Sequence, residues 1–214
     1  IPGPTIDRLA EKARTYGIYL HCGSIPEKGE TPDKVYNTNV LLNPQGEIIA
    51  KYRKIHLFDI AIEGQPAYQE SATIQAGDKV VVVETDFAPI GLSVCYDLRF
   101  PELYRRLAVQ GAKIIFIPAA FTLYTGKDHW EVLIRARAIE NQAYVIAPAQ
   151  VGTHAGGKRA CYGKSMIVDP WGIVLAKAPD KEGVIVADLD FEYQEKLRKE
   201  LPSLANRAAH LFPC

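Results

Sequence analysis

One thiol stands where the chain changes character. Ile90–Val94 is a short apolar run that reads as a buried strand, and it ends on Cys95. A helix is expected to open near Phe100–Pro101, because proline is tolerated in a first turn, where its missing N–H costs nothing. Leu103, Leu107 and Val109 would supply its apolar side, and Gly111 would stop it. Cys95 would then sit on a sharp strand-to-helix turn, close to a helix N-terminus whose partial positive charge favours thiolate over thiol. A thiolate so placed is a nucleophile. A lone cysteine is otherwise a small core residue, and the local sequence leaves both readings open.

A nucleophilic cysteine needs a proton acceptor and a group that stabilises the oxyanion. The five histidines, His21, His56, His129, His154 and His210, fall in no Cys-protease signature. Lysine and glutamate remain. Tyr52–Asp59 sets Arg53, Lys54, His56 and Asp59 between apolar Ile55, Leu57 and Phe58 as a strand ends. This is either an ordinary solvated strand end or a place where the apolar neighbours bury Lys54. A buried lysine keeps its charge only beside an anion.

The totals narrow the class. The chain has 214 residues, 48% hydrophobic and 23% charged, with a formal net charge of zero. That suits one domain over 1–214 with a tail from about residue 200. Charge balance gives no reason to expect nucleic acid or an anionic membrane as partner. No apolar run approaches the ~20 residues that span a bilayer. No basic-then-apolar leader argues for secretion. Cys22, Cys95, Cys161 and Cys214 form no CxxC and lie near no histidine at metal-ligand spacing, so neither zinc nor another metal is expected. Scattered thiols fit a reduced, cytoplasmic protein. The chain opens Ile1-Pro-Gly-Pro without an initiator Met and reads as the middle of a gene product.

Several elements must hold this chemistry. Thr5–Thr15 has Ile6, Leu9, Ala10 and Ala13 on one face and reads as a helix, with Thr5 as N-cap and Gly17 as its stop. Ile18–Cys22 reads as a strand, 23–34 as a polar loop, and Val35–Leu42 as a second strand. That strand turns through Asn43–Gly46 into Glu47–Arg53. Lys54–Ala76 has no clean period and reads as a long functional loop. Val80–Glu84, Lys113–Ile117, Tyr144–Ala149 and Gly183–Leu189 read as strands, as do Met166–Val168 and Ile173–Ala176, which form a hairpin. Asp128–Asn141 reads as a helix with a capping box at Asp128 and Glu131, and Phe191–Glu200 as another. Trp130, Leu133, Ile134 and Ala138 form an apolar stripe on the first of these. Hairpins mixed with strand–helix–strand crossovers predict mixed sheets in an α/β layered domain.

These residues resemble a known family. Lys54 in YRKIHLFD (52–59), Cys95 in SVCYDLRFPEL (93–103), then HWE (129–131), RARAIENQ (135–142) and DPWG (169–172) are similar to carbon–nitrogen hydrolases of the nitrilase superfamily. The resemblance runs from Ile1 to about Phe212 and is nearest to the Nit-type amidases. The pattern AxAQxGxH…KRAxYGxSM (147–166) leans toward the deaminated glutathione amidase side. The resemblance implies an α-β-β-α sandwich that dimerises through helices of the second half, and a Glu-Lys-Cys triad with no metal or cofactor. Cys95 then maps to the nucleophile. Lys54 maps to the lysine that stabilises the oxyanion together with the Tyr96 backbone N–H. Glu70, in YQES, maps to the second glutamate beside the lysine. Arg99 is placed to clamp a substrate carboxylate or, equally, to hold the helix start by a salt bridge. Phe121 and Thr122, on the loop 118–122, join Tyr96 and Arg99 as substrate contacts.

One departure accompanies this. The general-base glutamate and the first strand, helix and second strand of the fold would lie upstream of Ile1. No glutamate here takes the base's role: Glu11 falls in a helix, and Glu27 and Glu30 in a loop. The leading expectation is an amidase that releases ammonia from a small carboxylate-bearing linear amide through a Cys95 thioester. The alternatives are an ω-amidase on α-ketoglutaramate-like acids, an N-carbamoyl amino acid hydrolase, or a non-catalytic binding protein of the same fold.

Overall fold

A computed structural model of the chain describes residues 1–154, 156–157 and 159–212. Cys214, and Lys158 of the 147–166 pattern, lie outside the described residues. The chain divides into two compact units, Ile1–Val83 and the rest from Glu84.

The first unit is a helix on a sheet. Helix α1 (Pro4–Tyr16) begins one residue before the expected cap: Gly3 is the N-cap and Pro4 takes the first turn, so Thr5 is helical. Gly17 closes it at φ 61°, the left-handed conformation glycine adopts without strain. Ile6, Ala10 and Ala13 pack on Val40 and Leu42 of the sheet. The sheet is β1 (Leu20–Lys28), β2 (Val35–Leu42) and β3 (Ile48–Arg53), all antiparallel. β1 runs six residues past its expected end at Cys22. Its polar residues pair across to Tyr36–Asn39, and a register shift between His21 and Ser24 marks an irregularity that hydropathy does not reveal.

The expected loop from Lys54 contains small ordered pieces. β4 (Asp59–Ile60) pairs with β5 (Tyr68–Gln69), and a 3-10 turn follows over Glu70–Ala72. β6 (Ile74–Gln75) then joins β2 in parallel at Val35 and Tyr36. β3 and β6 thus share one edge of β2, and Lys54 is the residue between them. The Lys54 N–H donates to the Asn37 carbonyl (2.9 Å), and the Lys54 carbonyl accepts from Gly77 N–H (2.8 Å). β7 (Val82–Val83) ends this unit.

The second unit sets helices on a mixed sheet. Its strands β8 (Ile90–Leu92), β9 (Ile114–Phe116) and β10 (Tyr144–Ala147) are parallel neighbours. β11 (Val151–His154) and β12 (Arg159–Tyr162) form a separate hairpin. β13 (Met166–Val168) and β14 (Val174–Lys177) continue the main sheet antiparallel from β10. Helix α2 (Pro101–Val109) buries Leu103, Tyr104 and Leu107, but Val109 is exposed, not apolar-side core.

Helix α3 spans Leu123–Asn141 and so starts five residues before the expected Asp128, with Thr122 as N-cap. The Asp128/Glu131 spacing imitates a capping box inside a helix that has already begun. The expected strand over Gly183–Leu189 is absent. Val184 and Val186 alternate as a strand would, yet are 89% and 82% exposed, and no ladder forms there among the described residues. Helix α4 (Phe191–Glu200) is capped by Asp190, whose side chain accepts from Tyr193 N–H. No helix of the described residues is long and apolar enough to cross a membrane.

Candidate active site

The first unit carries Lys54 and Glu70, and it brings them together. Lys54 is 2% exposed, and its ammonium donates to Glu70 Oε2. The same oxygen accepts Phe58 N–H at 2.6 Å, and Oε1 lies 3.4 Å from Asn37 Nδ2. The anion that a buried lysine requires is therefore present, and the backbone fixes it. Asn37 serves twice, since its carbonyl also accepts from Lys54 N–H. A polar residue within a mostly apolar strand is the signal that could have found it.

Glu27 was expected in a loop but lies in β1 and is 6% exposed. Arg53 Nε and Thr38 Oγ1 each donate to its Oε2 at 2.8 Å, and Lys51 is 3.6 Å from Oε1. Burial alone would raise its pKa. The hydrogen bonds from Arg53 and Thr38 and the charges of Arg53 and Lys51 outweigh burial and bring it down to about 2. Arg53 also stacks on Tyr36, 3.9 Å from its ring centre. This network anchors the end of β3, one residue before Lys54.

The second unit carries Cys95, Tyr96, Arg99, Phe121 and Thr122. Cys95 opens a 3-10 turn over Cys95–Arg99, and α2 starts only at Pro101. The α-helix N-terminus is thus further from the thiol than expected, and helix-end effects fade within one turn. Cys95 takes φ 50°, unusual for a side chain with a β-carbon. Three contacts hold it there. Cys95 N–H donates to the Pro118 carbonyl (2.9 Å), which extends the β8–β9 ladder past its last strand residue. The buried Asp97 carboxylate accepts Val94 N–H at 2.8 Å. Arg137 of α3, 5% exposed, directs Nε (3.0 Å) and Nη2 (2.8 Å) at the Leu98 carbonyl. Asp97 and Arg137 escaped the reading of the sequence. The three-residue spacing of Val94 and Asp97 is a capping pattern that could have shown the first; the second is distant in sequence and gives no local signal.

Arg99 is half-buried, and burial is the largest influence on it, lowering its pKa below the usual arginine value while the charges of Tyr96 and Cys95 oppose this. Among the described residues it forms no salt bridge at the helix start. Its Nη1 lies 3.2 Å from His129 Nδ1, and its guanidinium lies over the Phe121 ring at 5.0 Å and the Tyr96 ring at 5.9 Å. Phe121 is 4% exposed and packs on Trp130, ring centres 5.1 Å apart. Thr122 begins α3, and its hydroxyl pairs with that of Thr125 at 2.8 Å. Burial pushes the Cys22 thiol up to about 11 and raises that of Cys161 as well.

Comparison with known proteins identifies the family. A carbon-nitrogen hydrolase family profile matches residues 1–199. A deaminated glutathione amidase from Synechocystis sp. (strain PCC 6803) is 50% identical over 203 residues, covering 93% of this chain and 74% of that protein. Omega-amidase NIT2 of Xenopus tropicalis is 43% identical over 212 residues, covering 99% of this chain and 76% of that protein. The crystal structure of the C. elegans NitFhit protein superposes with a TM-score of 0.90 at 41% identity, over 97% of this chain and 50% of that one. A mutant amidase from Nesterenkonia sp. AN1, at a TM-score of 0.77 and 29% identity over 96% of this chain and 70% of that one, carries the acetamide moiety of fluoroacetamide covalently on its active-site cysteine. This chain thus spans about three quarters of the two curated relatives and half of the NitFhit chain. The α/β fold is of the nitrilase type.

Proposed function

We propose, from the premise that this chain belongs to the carbon–nitrogen hydrolase family, that Cys95 is the nucleophile of an amidase acting on small linear amides that carry a carboxylate. The enzyme class is that of the amidase relatives; the substrate and the residue roles are the proposal. The observation that carries it is the Lys54–Glu70 pair. A lysine kept charged at 2% exposure, with its carboxylate fixed by Phe58 N–H, is a preorganised positive charge in a low-dielectric place.

In the proposed reaction Cys95 Sγ gives up its proton to a base and attacks the amide carbonyl carbon. The C=O electron pair moves to oxygen, and the oxyanion is stabilised by the Lys54 ammonium and the Tyr96 backbone N–H. When the carbonyl re-forms, the C–N bond breaks. The nitrogen takes a proton and leaves, as ammonia from a primary amide. Water then attacks the thioester, and the thiol and a carboxylic acid are released. Arg99 receives the carboxylate of the substrate between the Tyr96 and Phe121 rings. No step calls for a metal or a cofactor.

The deaminated glutathione amidase relative supports a deaminated-glutathione-like substrate, and the ω-amidase relative favours α-ketoglutaramate-like acids as the second reading. Ammonia release separates the readings: the protein is offered ω-amides of four- and five-carbon keto acids, N-carbamoyl amino acids and deaminated glutathione in turn. Faster turnover of a neutral amide than of any carboxylate-bearing one would remove the Arg99 assignment, and no turnover of any amide would remove the function.

Homodimer formation is proposed through α3, but through a different stripe from the expected one. Trp130, Ile134 and Ala138 are 0% exposed and belong to this unit's own core. Exposed apolar residues in the later turns of α3 are Val132 and Ile139, with Trp171, Ile173 and Leu175 on the β13–β14 hairpin. They adjoin: Ile139 lies against Gly172, Arg135 Nε donates to the Gly172 carbonyl (2.8 Å), and Lys177 pairs with Glu131 at 2.6 Å. Residence in a reducing cytoplasm is the accompanying proposal, supported by the absence of a disulfide at Cys22, Cys95 and Cys161 among the described residues.

A further inference from the structure

Arg99 differs from Arg53 and Arg137, the arginines that flank the two groups of residues above, in its partner. Arg53 is paired with Glu27 and Arg137 with Glu140, whereas Arg99, among the described residues, meets no carboxylate. Its one polar partner among the described residues is an imidazole: Arg99 Nη1 lies 3.2 Å from His129 Nδ1. A guanidinium can only donate, so Nδ1 must accept. His129 in this arrangement is therefore the neutral tautomer with its hydrogen on Nε2. The neighbouring Trp130 is fully buried, and its Nε1 donates to the Lys164 carbonyl at 2.9 Å, which fixes the rotation of α3 and so the place of His129.

The choice of partner has an electrostatic consequence. An aspartate or glutamate here would orient the guanidinium equally well but would neutralise it and compete with any incoming carboxylate. A neutral acceptor orients it and leaves its full charge available. The Tyr96 and Phe121 rings restrict its plane without consuming a donor, and the remaining N–H groups are left for a ligand.

We propose that His129 is the positioning residue of the carboxylate-binding site, aiming Arg99 through a neutral acceptor so that the site selects substrates bearing a carboxylate. This rests on the amidase reading above for its substrate, but not for its binding chemistry.

The test uses His129→Leu, His129→Asn and His129→Asp. Asn carries its oxygen near the place of Nδ1, Leu removes the acceptor, and Asp supplies the competing charge. His129 is exposed, so the variants are expected to fold. Two readouts are taken. The first is KM and kcat on a carboxylate-bearing ω-amide and on an uncharged aliphatic amide. The second is calorimetric binding of glutarate to the same variants in a Cys95→Ala background. We expect Leu to raise KM and weaken glutarate about tenfold with kcat changed less than about threefold, Asn to stay within about threefold of the parent, and Asp to weaken both more than Leu, as loss of, or competition for, a charge-assisted bond requires. The uncharged amide should be indifferent to all three.

Equal glutarate affinity in the parent and the Leu variant would overturn the proposal, as would an Asn variant no better than Leu or an Asp variant that binds glutarate normally. Failure of the parent to hydrolyse any amide would remove the amidase reading alone, because the glutarate series still decides the role of His129.

Discussion

Lys54 and Glu70 form an ion pair in which the lysine is the more deeply buried partner: its side chain is 3% exposed, against 17% for the glutamate. The asymmetry follows from β2. Asn37 holds the lysine backbone with its carbonyl and faces the glutamate with its amide, so both partners are referenced to one strand residue. Removing one partner is then not equivalent to removing the other. Glu70→Gln strands an ammonium at a site with little water, a change that costs about 3 kcal/mol or more, whereas Lys54→Met removes the buried charge itself. We expect Glu70→Gln to be the more destabilising variant in denaturant unfolding, and Lys54→Met/Glu70→Gln to regain part of the loss. Equal effects of the two single changes would show that the pair does not govern stability here.

Catalysis should order the same two positions differently. If the Lys54 charge meets an oxyanion, Lys54→Met should lower kcat by at least about 10²–10³, the usual loss for one such donor. KM should change less, because the interaction strengthens in the transition state. Lys54→Arg should not rescue, since a planar guanidinium is larger and aimed differently. Steady-state kinetics on an ω-amide check this. Near-normal kcat with only a raised KM would make Lys54 a binding residue.

The thiols give a third expectation. Burial raises the pKa of both Cys22 and Cys161, while Cys95 lies close enough to Arg99 for their charges to interact. At neutral pH a limiting alkylating reagent should therefore label Cys95 before either of the others, as peptide mapping would show. Cys95→Ala should abolish turnover and leave the melting temperature nearly unchanged, because the backbone contacts to Pro118 and Asp97 do not involve the thiol. Labelling of Cys22 or Cys161 with activity retained would remove the nucleophile assignment.

What the sequence could show depended on how local each cause was. The Cys95 turn, the helix at Phe191 and the hairpin across Asp169–Gly172 were legible because their signals lie within a few residues: an apolar run meeting a proline, a capping aspartate, a DPWG turn. The Lys54–Glu70 pair was legible only through the family resemblance, since the fifteen intervening residues carry no period that would bring the two together. β1 was cut short because its last residues are polar, and they are polar because Glu27 is satisfied by Thr38 and Arg53 across the sheet. α3 was started late because Asp128 and Glu131 imitate a cap. The strand expected at 183–189 has the right alternation, but a strand is defined by its partner, and alternation does not supply one. Arg137 and His129 could not be assigned, because what they hold is thirty or more residues away.

The exposed stripe on α3 yields a fourth prediction. Ile139→Asp or Trp171→Glu places a charge in the middle of the apolar face formed with Ile173 and Leu175. If this face is the dimer contact, either change should turn the dimer into a monomer by sedimentation at micromolar concentration, while Leu133→Ala, on the expected stripe, should not. A chain that sediments as a monomer before any substitution would remove the interface altogether.

The last prediction concerns acid. Glu27 is held to a pKa of about 2 in the folded chain, against 4.5 for an ordinary glutamate. A depressed folded-state pKa means the carboxylate contributes stability that is fully present above about 4.5 and is lost as pH falls from there through about 2. The shift corresponds to on the order of 3 kcal/mol, and screening reduces it, because Arg53 and Lys51 are themselves 42% and 44% exposed. A realised contribution of about 1–2 kcal/mol is expected. Glu27→Gln keeps the shape and removes the titration, so the gap in unfolding free energy between parent and variant should be widest at pH 7 and should narrow steadily from about pH 4.5 toward pH 2. Denaturant unfolding at three pH values measures it. The same ionisation anchors Arg53, the residue before Lys54, so the end of β3 should loosen over that window, read as faster amide exchange at Arg53 and Lys54 than at Ala50. A gap that stays constant down to pH 2 would mean that Glu27 stabilises the sheet through shape and hydrogen bonding alone, and that its charge does not support the strand that leads into Lys54.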